Sequence, residues 1–283
     1  MTTGIMREKI LEIVFIALAL VFAAGGYGMH RLGAVGFHLA PRQPDDLRIV
    51  SWNVGGAGGY GGRSLKNEFL PHIAAVLKEL NADLILLQEV ASPHQVQRLT
   101  RKLGGRWEVI VSTGGGSLLA VLGQRGSLQS QTRLTHSFRS QAASYQAPGL
   151  PPVLVINLHA SPYSAKERNA QIGRATDTLM SHNSGHLKIL AGDLNLDVDI
   201  EKRRDLFTDD EYLDVETYNY LVQHFSDVAQ NTGSTAEPDR RLDYIFADVA
   251  RVKVIRAGPW KGRRVADMDH DPVVADLKFE KNP

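Results

Sequence analysis

The sequence predicts a mixed α/β domain in which two packed β-sheets carry helices on their outer faces. Short apolar runs of strand length recur along the chain, and amphipathic segments with helical spacing separate several of them. Polar clusters follow the apolar runs at the points where strands should end. Strand number by itself does not separate this arrangement from other mixed α/β folds.

The predicted strands are short runs rich in Val, Ile and Leu. They cover Leu47–Trp52, Asp83–Leu87, Trp107–Ser112, Ser117–Leu122, Leu128–Leu134, Val153–Leu158, Leu187–Ala191, Leu242–Ala247, Val252–Arg256 and Val273–Phe279. The predicted helices are Glu68–Leu80, Pro93–Leu103, Ala165–Met180 and a helix pair within Asp205–Tyr220. Ser92 is the expected N-cap of the second helix and Gly104 its terminator.

Composition and charge exclude several kinds of protein. Of the 283 residues, 43% are apolar and 22% are charged, as in ordinary folded soluble domains. Lys and Arg number 32 against 31 Asp and Glu, so net charge provides no general attraction to nucleic acid or acidic lipid. The chain has no cysteine, which excludes disulfides and thiolate chemistry. Any metal must therefore take oxygen or imidazole ligands.

The N-terminal segment, residues 1–29, predicts a membrane anchor or a signal peptide. Arg7 and Lys9 precede an apolar run that approaches the roughly 20 residues needed to span a bilayer. We favour an uncleaved anchor over a cleaved signal, because the apolar run continues past the small-residue cleavage sites. A buried core helix is the third interpretation. The preceding positive charge predicts an exported domain, either membrane-anchored or secreted. Residues 30–46 predict a linker, and 47–283 the catalytic domain.

Six polar clusters contain the residue types that phosphate-ester hydrolysis requires. They are Ser51-Trp52-Asn53, Gln88-Glu89, Asn157-Leu158-His159, Gly192-Asp193-Leu194-Asn195, Arg241-Leu242-Asp243-Tyr244 and Met268-Asp269-His270-Asp271-Pro272. This reaction needs a polarised phosphoryl oxygen, an activated water in line, and help for the departing oxygen. Glu89 is a hard oxygen ligand suited to Mg²⁺. Asn53 can support that carboxylate or donate to a phosphate oxygen.

In their order and separations, these clusters resemble those of the endonuclease/exonuclease/phosphatase superfamily. The superfamily includes deoxyribonuclease I, abasic-site endonucleases, neutral sphingomyelinases and inositol polyphosphate 5-phosphatases. The resemblance covers residues 47–279, and the ordered set is far more specific than any single motif. It implies a four-layer α/β/β/α sandwich of the deoxyribonuclease I type, with the site at one edge of the two sheets.

The resemblance also implies which residues catalyse the reaction. His270 would be the general base, and Asp243 the carboxylate that orients it. Asp193 would polarise the attacking water or contact metal, while Asn195 would hydrogen-bond the phosphate. His159 would act as general acid or stabilise the phosphate, but the sequence identifies no acidic partner for it.

Binding roles follow from the same resemblance. Asn53, Asn195 and Arg241 would contact phosphate, although a surface salt bridge is an equal interpretation for Arg241. Glu89, Asp269 and Asn53 would hold the metal directly or through water, with Mg²⁺ expected and Mn²⁺ or Ca²⁺ as alternatives. Neighbouring residues of a strand point to opposite faces, so Asp269 and His270 need an irregular turn to share a site.

Three departures from the family pattern bear on substrate. Gly55 stands where abasic-site endonucleases carry an acidic residue. His159 favours the deoxyribonuclease, toxin-nuclease and lipid-hydrolase branches, and Met268 replaces a usual serine. Substrate choice should lie in the loops Ala57–Gly62 and Thr232–Arg240, among others.

Three functions are compatible with these residues. The first is a monomeric Mg²⁺-dependent phosphodiesterase that hydrolyses DNA. The second keeps this chemistry but acts on a phospholipid or phosphoinositide, which an N-terminal membrane segment would bring within reach. The third is a catalytically silent binding module, which the completeness of the polar set disfavours.

Overall fold

The computed structural model describes residues 43, 46–55, 64–114, 117–182, 185–199, 206–248, 250, 252–262, 265 and 268–279. All of them belong to one compact unit, Leu39–Pro283. The predicted anchor at 1–29 and the loop Ala57–Gly62 lie outside the described residues, as does most of the linker. In the part of the chain that is described, no helix is both long enough and apolar enough to cross a membrane.

Two six-stranded sheets form the centre of the domain. The first has the order β11-β12-β1-β2-β4-β3 and contains β1 (Asp46–Asn53), β2 (Leu84–Val90), β3 (Trp107–Val111), β4 (Leu118–Gln124), β11 (Val252–Pro259) and β12 (Val273–Phe279). The second has the order β5-β6-β7-β8-β10-β9 and contains β5 (Ser127–Ser130), β6 (Ser140–Gln146), β7 (Val153–His159), β8 (Leu187–Asp193), β9 (Ser226–Asp227) and β10 (Asp243–Ala247).

The two sheets pack face to face through a continuous apolar core. Leu47, Ile49 and Leu86 of the first sheet share this core with Val155 and Ile189 of the second, and all five are buried. Continuous burial explains why β2 is apolar along most of its length rather than alternating with polar residues.

Helices form the two outer layers. They are α1 (Leu70–Leu80), α2 (Pro93–Leu103), α3 (Ala165–Ser181) and α4 (Glu211–His224). The first two pack on each other, and α2 contacts β3; the other two pack on each other and share a second apolar core with the second sheet. The predicted four-layer α/β/β/α sandwich is confirmed. Ser92 caps α2 by accepting the Gln95 N–H at 3.1 Å, as expected.

Two predicted elements are wrong. Leu128–Leu134 is not one strand, because β5 ends at Ser130 and a 3-10 turn follows at Thr132–Leu134. The acidic segment Asp205–Tyr220 is not a helix pair. Its described part contains the single helix α4, which begins only where the Asp210 carboxylate caps it by accepting the Leu213 N–H at 3.0 Å.

One long strand, β6, was not predicted. Its sequence is rich in Ala, Ser and Gln, which have little strand propensity. It forms because its backbone pairs with β7 on one side and β5 on the other. Tertiary pairing therefore outweighs local preference here.

Candidate active site

The predicted polar residues meet where strands of both sheets end. In the first sheet β1 and β2 are parallel, with Asn53 beside Gln88. In the second, β7 and β8 are parallel, and His159 lies opposite Asp193. The antiparallel strand β10 begins at Asp243, which also lies opposite Asp193. This register brings five separate polar clusters to one edge of the sandwich.

Asn53 joins the two sheets within the site. Its amide nitrogen donates to Asp193 Oδ2 at 2.9 Å and lies 3.3 Å from Glu89 Oε1. Its carbonyl oxygen accepts the Gly55 N–H at 2.9 Å. In this arrangement Asn53 supports two carboxylates, which is one of the three roles expected for it.

A buried amide pair lies directly behind the site. Gln88 Nε2 donates to Asn157 Oδ1 at 2.7 Å, and the Asn157 amide donates to the main-chain oxygens of Leu87 and Ala120 at 3.0 and 3.2 Å. Both side chains are fully buried. The pair links the first sheet to the second and so holds the strands that end in Glu89 and His159.

Glu89 is turned into the site by an irregular backbone. Its φ is +60°, and the pairing of β2 with β4 shifts register between Leu87 and Val90. Such a φ is strained for a residue with a side chain and is typical of functional positions. A Cβ at Gly55 would lie 1.7 Å from Glu89 Oε2, so the absence of a side chain there leaves room for this carboxylate.

The end of β8 needs a glycine. A Cβ on Gly192, whose φ is +145°, would lie 1.8 Å from the Leu158 carbonyl oxygen of the neighbouring strand. Three residues later, Asn195 adopts φ +50°, which asparagine tolerates. Its N–H donates to Asp193 Oδ1 at 3.1 Å, and its side-chain amide donates to Ala160 O at 3.2 Å. Asn195 thus fixes the orientation of Asp193.

His270 lies in an irregular stretch before β12, as the Asp269-His270 pair requires. The Trp52 indole N–H donates to the His270 carbonyl oxygen at 3.1 Å and holds this stretch against β1. The ring Nδ1 lies 2.8 Å from Asp243 Oδ2. The predicted orienting role of Asp243 therefore has matching geometry.

Thr235 holds the orienting carboxylate and was not predicted. Its hydroxyl donates to Asp243 Oδ2 at 2.7 Å and accepts the N–H groups of Leu242 and Asp243, both at 3.0 Å. The one sequence signal was its place in the loop Thr232–Arg240, which was expected to influence substrate choice rather than catalytic geometry.

His159 has carboxylates nearby but none at hydrogen-bond distance. Its Nε2 lies 3.6 Å from Asp193 Oδ2 and 3.7 Å from Glu89 Oε1. Its main-chain N–H donates to the Arg139 carbonyl oxygen at 2.9 Å. These two shared carboxylates are the acidic neighbours that the sequence left unidentified.

A buried arginine holds the loop that follows His159. Arg168 on α3 is fully buried; it binds both carboxylate oxygens of Asp214 at 3.0 and 2.7 Å and donates to the Ser161 carbonyl at 3.1 Å. Gln171 on the same helix accepts the Ser161 N–H at 2.8 Å. The polar face of α3 therefore positions a site loop.

Burial and charge shift the pKa values of the site in different directions. Burial raises the pKa of Glu89 to about 7 and also raises that of Asp193. Burial lowers the pKa of His159 to about 4 despite the nearby Asp193 carboxylate. Burial also acts to lower the pKa of His270, but Asp243 and Asp193 outweigh it and raise the value to about 10. At neutral pH His159 is uncharged and His270 is protonated.

The comparison with known families decides the identity of this fold and site. Residues 50–263 match a model described as the Endonuclease/Exonuclease/phosphatase family. The chain belongs to this family. Its members are phosphoric ester hydrolases, and the matched span contains all of the clusters except the last, Met268–Pro272. In a search of curated proteins, none matches this chain.

Solved structures with this fold come from several organisms. TDP2 of D. rerio, complexed with single strand DNA product, is 17% identical with a TM-score of 0.63, covering 83% of this chain and 99% of that one. The human Nocturnin catalytic domain is 18% identical, TM-score 0.61, covering 85% and 97%. A Bacteroides thetaiotaomicron mannosyl-6-phosphatase is 18% identical, TM-score 0.59, covering 82% and 100%. At these identities the likeness shows the fold alone.

Two sets of residues in this family member could hold a divalent cation. The ligand atoms of Asp193, Asp243 and His270 all lie within 4.8 Å of one another. However, His270 Nδ1 already bonds to Asp243, so this trio is suited to proton transfer. Glu89 offers a better fit, because no histidine is bonded to it. Its buried Oε2, like Asp243 Oδ1, has no hydrogen-bond partner among the described residues, and oxygen is the ligand that Mg²⁺ prefers.

Two predicted residues have surroundings that differ from the rest. Asp269 is exposed, yet its charge acts to raise the pKa of both Glu89 and His270, which places it beside the site. Arg241 instead binds both oxygens of Asp227 at 2.6 Å and lies over the Tyr244 ring at 4.4 Å. The structure thus favours the salt-bridge interpretation of Arg241, in a partly buried form.

Proposed function

We propose that the chain is a Mg²⁺-dependent phosphodiesterase that cleaves DNA and acts as a monomer. The observation that carries the proposal is the Asp243–His270 pair at 2.8 Å, placed beside a buried carboxylate, Glu89, whose Oε2 has no partner among the described residues. This combination joins a histidine that can transfer a proton to an oxygen ligand for a hard cation.

Each side chain of the site has a separate role in the proposed reaction. Asp243 fixes the His270 ring through Nδ1, which leaves Nε2, 3.8 Å from Asp193 Oδ2, to accept or donate the proton. Asp193 can accept a hydrogen bond from the attacking water. A divalent cation held by Glu89 would polarise a phosphoryl oxygen.

The base role assigned to His270 requires an uncharged ring. Its raised pKa makes the ring a proton donor while only carboxylates surround it. Positive charge bound beside Glu89 and Asp193 disfavours the imidazolium and so lowers this pKa. We therefore expect the base role to depend on the cation.

DNA is the proposed substrate for two reasons. His159 favours the deoxyribonuclease, toxin-nuclease and lipid-hydrolase branches over the abasic-site branch, and two of these three act on nucleic acid. In addition, one structure with the same fold, TDP2, is described with a single strand DNA product. A second structure with this fold is a mannosyl-6-phosphatase, so the substrate has to be measured rather than assumed.

The test is hydrolysis of a substrate panel by the full chain. We expect nicking of plasmid DNA with Mg²⁺, none with EDTA, and a loss of roughly 10²- to 10⁴-fold in His270→Ala. His94→Ala, an exposed histidine on α2, is the matched control and should retain full activity. Undiminished activity in EDTA or in His270→Ala would sink the proposal. Turnover of choline- or inositol-containing phospholipids or of a sugar phosphate, without turnover of DNA, would reassign the substrate.

We also propose that residues 1–29 anchor the enzyme in a membrane with its catalytic domain exported. The supporting observation is the apolar run preceded by Arg7 and Lys9. The full chain should sediment with membranes and be digested by externally added protease. Recovery of the intact full chain in the soluble cell fraction would contradict the anchor.

A further inference from the structure

Three exposed aromatic side chains lie in loops at the end of the second sheet where the site is located. Phe138 precedes β6, Tyr163 follows β7, and Phe207 lies in the segment after β8; their exposed fractions are 52%, 79% and 44%. Ser140, which opens β6, pairs with Leu158 next to the catalytic end of β7. The register of the sheet therefore brings these loops to the site's edge.

Two of the three rings are held by arginines. The Arg139 guanidinium lies 5.5 Å from the centre of the Phe138 ring, and that of Arg240 lies 5.7 Å from the Phe207 ring. Asp197 ties the second pair together, because its Oδ2 accepts from Arg240 at 3.2 Å and from the Phe207 N–H at 2.7 Å. Each ring is thus supported by a cation while about half of the residue stays in solvent.

One of these cations also acts on the site itself. The charge of Arg139 helps to lower the pKa of His159, and its carbonyl oxygen accepts the His159 N–H. Within the described residues no carboxylate pairs with the Arg139 guanidinium. A positive charge is therefore available beside the place where a phosphate would lie.

We propose that Phe138, Arg139, Tyr163, Phe207 and Arg240 form an aromatic–arginine rim that binds single-stranded nucleic acid, stacking unpaired bases while Arg139 attracts the phosphates and Arg240 supports the Phe207 ring. This inference rests on the proposed function and specifies its substrate. Stacking on aromatic side chains next to cations is how proteins bind single strands without reading their sequence.

The pattern favours a single strand over its competitors. Bases within a duplex are stacked on each other and do not present their faces to a protein ring unless they are flipped out. A membrane-binding surface would place contiguous apolar side chains on one face. Here each of two rings is paired with its own guanidinium, and the Arg139 guanidinium has no carboxylate partner among the described residues, so a phosphate-binding cation lies beside a ring.

The experiment compares three twelve-nucleotide DNA substrates of equal charge per strand. They are a single strand with bases, the same strand with every base removed, and the first strand annealed to its complement. For the full chain we expect kcat/KM to be about tenfold or more higher on the single strand with bases than on the other two. Phe138→Ala, Tyr163→Ala and Phe207→Ala should each lower that value roughly fivefold or more. Activity on the base-free strand should change less than about twofold.

Two controls separate ring stacking from general damage. Tyr163→Phe keeps the ring and should behave as the wild type. Ile255→Ala removes an exposed apolar side chain, 47% exposed, from strand β11 of the first sheet and should have no effect. The rim proposal is overturned by either of two results. The ring variants lose kcat/KM equally on the strands with and without bases, or the wild type shows no preference for the single strand with bases.

A binding measurement separates failure of the rim from failure of the proposed function. Anisotropy of the labelled strands in EDTA needs no turnover, so a chain that cleaves no DNA can still show ring-dependent binding. No cleavage of any strand contradicts the proposed function, whereas ring-independent binding contradicts the rim. Ring-dependent binding to phosphatidylglycerol vesicles, without ring-dependent strand binding, would make the surface a membrane contact.

Discussion

His159 and His270 flank the same carboxylate, Asp193, and are buried to nearly the same extent, yet their pKa values move in opposite directions. The pKa of His159 falls to about 4 and that of His270 rises to about 10. The two side chains are 10% and 9% exposed, so burial does not separate them.

The difference lies in the distance to a carboxylate. Asp243 Oδ2 is 2.8 Å from His270 Nδ1, a hydrogen bond dedicated to that ring. The carboxylates nearest to His159 are 3.6 and 3.7 Å away and also serve Asn53. His270 is kept charged chiefly by the carboxylate bonded to it, with Asp193 adding to the effect, whereas His159 has no bonded carboxylate and also feels the positive charge of Arg139.

The largest predicted effect comes from removing the dedicated carboxylate. In Asp243→Asn the ring loses its charge partner, so the pKa of His270 should fall below its ordinary value and resemble that of His159. Hydrolysis should decrease by roughly 10³- to 10⁴-fold. NMR titration of the imidazole C–H resonances measures the pKa. Asp209→Asn, which removes a half-exposed carboxylate bonded to Arg168, should change neither quantity. An unshifted His270 resonance would show that another group sets its charge.

The second effect concerns the carboxylate shared with His159. Glu89→Gln should weaken Mg²⁺ binding by more than about a hundredfold, since the loss of outer ligands alone costs 10- to 100-fold. In the wild type, affinity should rise between pH 6 and pH 8, because the pKa of Glu89 is about 7 and its proton must leave before a cation binds. Calorimetry measures both.

The control for this experiment is Glu68→Gln, an exposed residue before α1, which should leave affinity unchanged. Unaltered Mg²⁺ affinity in Glu89→Gln would place the cation at the alternative trio of Asp193, Asp243 and His270 instead. Either result decides between the two candidate cation positions.

The smallest effect is on stability and has opposite signs for the two histidines. An unfolded histidine has a pKa near 6.5, so between pH 6.5 and pH 4 the unfolded chain binds more protons at His159 than the folded chain does. Stability therefore falls as pH falls, by at most about 3 kcal/mol. His270 contributes stability that is fully present below pH 6.5 and is lost as pH rises through about 10.

Urea unfolding from pH 4.5 to pH 10 measures how the free energy of unfolding changes with pH on the acidic and the alkaline side. His159→Gln should flatten the acidic side of the stability curve, and His270→Gln the alkaline side. The exposed His94→Gln should leave both sides as they are. Flattening on the same side by both site variants would contradict the comparison.

Much of the fold was predictable because the strands are buried on both faces. A run such as Leu84–Leu87 has few alternatives to a central strand, and the Gly-Asp-Leu-Asn motif at the end of β8 has a glycine where no Cβ fits. The strand β6 was missed because its Ala, Ser and Gln side chains carry no such signal. Its pairing partners lie elsewhere in the chain.

The candidate site, like the fold, was predictable from the sequence only in part. The types of residue needed for phosphate-ester hydrolysis are visible in the sequence, and Asn53, Glu89, Asp193, Asp243 and His270 do converge. The sequence carries no sign that Thr235 holds Asp243 or that Arg241 is engaged by Asp227. Such contacts depend on side-chain directions, which strand patterns do not specify.

By itself, the sequence determined most of the elements, the family and the candidate residues, because burial periodicity and motif spacing are properties of the chain. Only the tertiary structure decided which carboxylate bonds to which histidine, and hence which ring is charged. The histidine–carboxylate distances that set these pKa values, 2.8 Å for His270 and 3.6 Å for His159, join residues far apart in sequence, and no one-dimensional pattern contains them. The polar clusters indicate the type of reaction, and the fold decides which of the two histidines is charged.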